Sequence, residues 1–70
     1  MKYFQGPLGI NIDNRVVLCD GAVEFHCGDT LEVEINGVWV PTRVECGNNG
    51  YYLVGLAGWN WYGKKARIEA

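Results

Sequence analysis

The sequence predicts a small all-β barrel, and three observations carry that expectation. No segment repeats apolar residues at helical spacing over three turns. Instead, β-branched and aromatic residues alternate in short runs. Gly, Asn and Asp separate those runs, with ten glycines in seventy residues.

Residues 8–12 and 15–19 read as a first hairpin turning at Asp13-Asn14, two residues that tolerate the left-handed backbone a two-residue turn requires. After Asp20-Gly21, residues 22–27 form a run with Val23 and Phe25 inward. Gly28-Asp29 then leads into a central hairpin. There a two-residue Asn36-Gly37 loop sets Ile35 opposite Val38, Val33 opposite Val40 and Leu31 opposite Thr42. Leu31, Val33, Ile35, Val38, Val40 and Val44 thereby become core. Trp39 opposite Glu34, Pro41 opposite Glu32 and Arg43 opposite Thr30 take the outer face.

A second turn centred on Asn48-Asn49 pairs Cys46 with Tyr51, Val44 with Leu53 and Thr42 with Gly55, which continues the same inner face. Pro41 has no N–H to give, so the ladder is expected to break or bulge there. Residues 55–63 are too short and glycine-rich for a regular helix. Residues 64–69 make a last strand with Ala66 and Ile68 inward and Lys65 and Arg67 outward. Five or six short antiparallel strands leave many edges for so small a sheet, and closure into a barrel removes them.

Size and composition set further bounds. Seventy residues predict a single domain over 1–70, close to the lower limit for a chain that folds on its own core. Hydrophobic residues make up 49%, and no apolar run approaches the roughly 20 residues that span a bilayer, so the expected class is globular with no membrane segment. Residues 1–7 carry no secretory signal pattern, and Cys19, Cys27 and Cys46 are an odd set. Both point to the cytoplasm, with the cysteines as free, buried thiols. The net charge of −2 hides an asymmetry: residues 1–42 carry two cations against six carboxylates, a net of −4, and residues 43–70 carry four against two, a net of +2. An acidic chain is a poor match for duplex nucleic acid, although a local basic patch could meet phosphates.

Gly28-Asp29, the central hairpin with Trp39 after its turn, Thr42-Arg-Val-Glu45 and Gly50-Tyr-Tyr-Leu-Val54 together resemble the SH3-like barrels. His26-Cys-Gly-Asp29, Trp39-Val-Pro-Thr-Arg-Val-Glu45, Tyr51-Tyr-Leu-Val-Gly55 and Gly63-Lys-Lys-Ala-Arg-Ile68 are similar to a small bacterial family known only as a domain of unknown function. The resemblance covers nearly the whole chain. It implies an SH3-like barrel and transfers no catalytic or binding residues.

The strongest functional clue is the aromatic set Trp39, Tyr52, Trp59, Trp61 and Tyr62 beside Arg43, Lys65 and Arg67. If Trp59 and Trp61 fold across the outer face that Trp39 and Tyr52 share, the rings and cations suit a protein or peptide partner held by a non-catalytic adaptor. With Lys64, the same segment could stack and pair with a single-stranded nucleic acid. Alternatively, the rings could form a second small core beneath residues 55–63. His26 with Cys19, Cys27 and Cys46 lacks the paired Cys-x-x-Cys spacing of a structural zinc site, so no metal is expected. Adjacent His26 and Cys27 point to opposite sides of a strand, and no phosphate-cradling loop or nucleophile elbow occurs. The expectation is therefore no enzyme and no cofactor. Glu32, Glu34 and Glu45 read as a solvated face, and the expected state is a monomer or weak homo-oligomer.

Overall fold

A computed structural model describes residues 2–48, 50–56 and 58–69, and among these there is no helix. Seven strands form: β1 Tyr3–Ile10, β2 Val16–Leu18, β3 Val23–Glu24, β4 Thr30–Ile35, β5 Val38–Gly47, β6 Gly50–Leu53 and β7 Lys65–Glu69. They make one antiparallel sheet in the order β3-β2-β1-β7-β4-β5-β6. Leu8, Val16, Leu18, Leu31, Val33, Val44, Leu53 and Ala66 come from six different strands yet join Phe25 in a single buried cluster. Only a strongly curled sheet can bring them together. The strand order runs from β3 to β6 as one curled half-barrel sheet, in keeping with the small all-β barrel fold expected, and the described residues form seven strands where five or six were anticipated.

The central hairpin follows its pattern. All six pairs from Thr30–Arg43 to Ile35–Val38 form, and Asn36 and Gly37 have φ of 54° and 82°, the doubly left-handed turn that matches strand twist. Leu31, Val33 and Val44 are buried, and Ile35 and Val40 pack against the cluster. Val38 corrects the predicted core. It is 60% exposed, at a hairpin tip that lies beyond Glu32 and Val33, the β4 residues paired with β7. β6 adds Val44–Leu53 and Cys46–Tyr51 as expected. Its ladder then stops short of Pro41: Val54 donates to the Arg43 carbonyl, and the Thr42 hydroxyl, buried on the inner face, donates to the Val54 carbonyl at 2.8 Å. The turn expected at Asn48-Asn49 falls partly outside the described residues.

The first hairpin departs from its predicted turn. Ile10 pairs with Val16 and Leu8 with Leu18, leaving five residues between the strands instead of two. Asn11 organises this loop. Its Oδ1 accepts from the Asp13 and Arg15 amides, both at 3.0 Å, and its backbone closes onto Arg15 and Asn14. Asn14 supplies a left-handed residue with φ of 63°. The wider loop leaves Ile12 fully exposed and buries Val16, Val17 and Leu18 in succession.

The first strand also starts five residues before Leu8, at Tyr3. Tyr3 to Pro7 pair with Glu69 to Lys65, so β1 bridges β7 and β2. Pro7 fits this crossing point, since its carbonyl accepts from Cys19 and no donor is demanded of it. Gly6 lies beside it, where a Cβ would meet Cys19 Sγ and displace that side chain.

The cysteines are the largest correction. Cys27 and Cys46 are solvent-exposed and disulfide-bonded, with Cα atoms 5.9 Å apart; only Cys19 is a free thiol. Both sit at sheet ends, beyond the apolar cluster, where the turn after β3 meets the far end of β5. Two apolar-like side chains outside the core gain nothing from burial, and their backbones lie at ordinary bridging distance.

Candidate functional site

The outer face of the sheet is built by the register. Gln5 pairs with Arg67, Arg67 with Glu32, and Glu32 with Pro41, so one row crosses β1, β7, β4 and β5. Neighbouring rows bring Tyr3, Lys65, Glu69 and Trp39 to the same side, with Trp39 opposite Glu34 as the alternation requires.

Arg67 is the centre of this face. Its Nε donates to Glu32 Oε1 at 2.8 Å across 35 residues of sequence. Its guanidinium carbon lies 3.9 Å from the Tyr3 ring centroid and 4.2 Å from that of Trp39. Lys65 Nζ reaches to 6.0 Å from the Trp39 ring. Arg67 keeps only 19% of its side chain exposed, so each ring contact falls in the stronger part of the roughly 0.5–2 kcal/mol range for cation–π pairs. An open recess of about 380 Å³ adjoins the clamp, walled by Tyr3, Pro41, Arg67, Glu32, Thr30 and Glu69.

The other predicted site residues lie elsewhere. Trp59 and Trp61 are half-buried and pack against the core cluster, with Leu56 between β6 and β7 doing the same. Trp39 is outside that cluster and is covered by Arg67 and Lys65, so Trp59 and Trp61 take the core side while Trp39 takes the outer face. Backbone bonds from Trp59 to Leu56 and from Lys64 to Trp61 hold the loop in successive turns. Tyr52 stands opposite Glu45, 39% exposed, with its ring lying over Gly47, where a Cβ would come within 3.2 Å of it. Arg43 is paired with Glu45 at 2.6 Å. Lys64 is exposed.

Two groups were misjudged from sequence. Glu32 and Glu45 are not simply solvated, because each holds an arginine. Tyr3 was missed altogether. The signal for it was present in Tyr3-Phe4, an aromatic pair of high β-propensity just before Gly6-Pro7, which marks a bent strand as readily as a strand start.

His26 sits on the turn into β4 between two carboxylates, with Nε2 3.6 Å from Glu24 and Nδ1 3.6 Å from Asp29. Asp29 Oδ2 also accepts from the His26 amide at 2.8 Å, so the residue belongs to a capped turn. Cys19 Sγ donates to the Gln5 carbonyl, away from the Cys27–Cys46 pair. Among the described residues no three His, Cys, Asp or Glu side chains converge as metal ligands. No described helix is long and apolar enough to cross a membrane.

The family model for a domain of unknown function, DUF5348, matches residues 6–68. The chain belongs to this family. The match spans β2 to β6 in full and most of β1 and β7, and it includes Trp39, Glu32 and Arg67 of the clamp but not Tyr3. This DUF5348 domain is also similar to a structural-genomics crystal structure of a protein from Ruminococcus gnavus, at 31% identity and a TM-score of 0.76, covering 93% of this chain and all of the other. No curated protein matches the sequence.

Proposed function

We infer that this DUF5348 domain is a non-catalytic binding module that holds a peptide segment of a protein partner on its outer face. The observation that carries this reading is the Tyr3–Arg67–Trp39 clamp beside an open recess. A guanidinium fixed between two rings and tied to Glu32 is a rigid amphipathic platform, and rigid aromatic and arginine side chains are the usual anchors of protein interfaces. Tyr3 and Pro41 offer apolar walls to an extended chain, while the exposed Glu69 favours a basic side chain in it. Lys65 continues the platform over Trp39.

The pairing of Arg67 with Glu32 and of Arg43 with Glu45 favours peptide over single-stranded nucleic acid, because both arginines are already neutralised. Amide chemical shifts during titration with proline-containing peptides that carry lysine or arginine test the reading. Shifts clustered at Tyr3, Trp39, Lys65 and Arg67, weakened at least several-fold in Trp39→Phe, are expected. An unresponsive face, together with a single-stranded oligonucleotide that binds at low salt and is released at moderate salt, would replace peptide with nucleic acid.

A further inference from the structure

The Cys27–Cys46 bridge lies apart from the outer-face clamp, and its surroundings suggest a chemistry of its own. Both cysteines are exposed, and 19 residues of sequence separate them. Cys27 precedes Gly28, whose φ of 97° marks the turn into β4, and Cys46 faces Tyr51 near the end of the β5–β6 hairpin. The corner they join is fastened independently. The Gly28 amide donates to the Val44 carbonyl at 2.7 Å, the Val44 amide to the Asp29 carbonyl at 2.9 Å, and Asp29 caps His26. Val44, Leu53 and Leu31 anchor the same strands in the core. The bridge therefore spans a corner that already has its backbone bonds and its apolar anchors. Cys19, half-buried and bonded to Gln5, takes no part.

We propose that Cys27 and Cys46 form a reversible thiol–disulfide exchange site, a surface clasp that a dithiol reductant opens without unfolding the domain. A thiolate of the reductant attacks one exposed sulfur, breaking the Cys27–Cys46 bond and releasing the other cysteine as a thiolate that takes up a proton. The second thiolate of the reductant then attacks the mixed disulfide and frees the remaining cysteine, which is protonated in turn. The domain gains two electrons and two protons, and the reductant leaves as its own disulfide. The segments that lose their covalent tie are the His26–Asp29 turn and the Cys46 end of β5, each still held by the backbone bonds of the corner.

Counting thiols in the full chain tests the proposal. The protein is treated with oxidised glutathione, exposed while folded to dithiothreitol, acid-quenched, and alkylated in denaturant for intact mass. One alkylated cysteine before reduction and three after it are expected, with amide shift changes confined to residues 26–30 and 43–48. Three alkylated cysteines before reduction would mean that no bridge forms. One after reduction would mean that the bridge is closed to exchange. The double variant Cys27→Ser/Cys46→Ser is expected to keep the native amide pattern of Leu18, Val33 and Leu53. Its unfolding would make the bridge a structural staple and overturn the clasp.

Discussion

The two hairpins of this domain were equally visible as alternating runs with polar residues between them, yet only one adopted the register its turn suggested. In β4–β5, Asn36-Gly37 can be left-handed at both positions, and the inner-face pattern on either side demands the same pairing. Turn chemistry and burial agree. In β1–β2, Asp13-Asn14 is compatible with a two-residue turn but does not require one, and the Asn11 side chain offers a competing solution that satisfies two loop amides. Register is secure where local and global preferences coincide. Where a turn is merely permitted, one side-chain acceptor decides it.

The largest expected contrast between the two hairpins concerns burial. Leu18 in β2 is fully buried and belongs to the core cluster, whereas Val38 at the β4–β5 tip is 60% exposed although its alternation marked it as core. Leu18→Ala should cost about 3 kcal/mol, within the range for buried leucine truncations, while Val38→Ala should stay within about 0.5 kcal/mol. Urea denaturation of both variants measures this. Comparable losses would mean that the tip is covered and that the two hairpins share the core equally.

The same distinction explains what was legible in the sequence. Inner-face positions are governed by alternation, so Leu31, Val33, Val44, Leu53 and Ala66 were all recoverable. The outer-face site depended on which strands become neighbours. Arg67 meets Glu32 and Trp39 only because β7 lies beside β4, and it meets Tyr3 only because β1 lies on its other side. Periodicity gave Arg67 and Trp39 their side of the sheet but could not bring them together. For Trp59 and Trp61, which lie in a loop with no period, nothing but tertiary packing assigns a side. The disulfide was hidden for a related reason: an odd count of cysteines argues about the set and says nothing about a particular pair.

An intermediate effect should come from the loop that overrides the predicted turn. Asn11→Ala removes the acceptor for the Asp13 and Arg15 amides and also the bond from Asn11 Nδ2 to Glu24 at 2.9 Å. These groups are largely solvent-accessible and water can replace part of what is lost, so a cost of about 1–2 kcal/mol is expected. Amide exchange should quicken at Asp13 and Arg15 while the amides of β4 and β5 keep their protection. A variant as stable as the parent would show that the five-residue loop is set by strand packing and not by Asn11.

The smallest expected effect discriminates between the two registers most directly. With a two-residue turn, Ile12 would stand opposite Arg15 and share a face with Leu8, which is buried, so a polar substitution would remove apolar contact from the sheet. In the five-residue loop Ile12 is fully exposed and lies beyond the last pair, Ile10–Val16. Ile12→Thr should then leave stability unchanged within about 0.5 kcal/mol, as surface substitutions away from special features do. Thr also keeps the β-branch, so the backbone preference of the position barely changes and the measurement reports on side-chain burial. A loss above about 1 kcal/mol in thermal or urea unfolding would place Ile12 in the sheet, restore the Asp13-Asn14 turn, and make the first hairpin as predictable as the second.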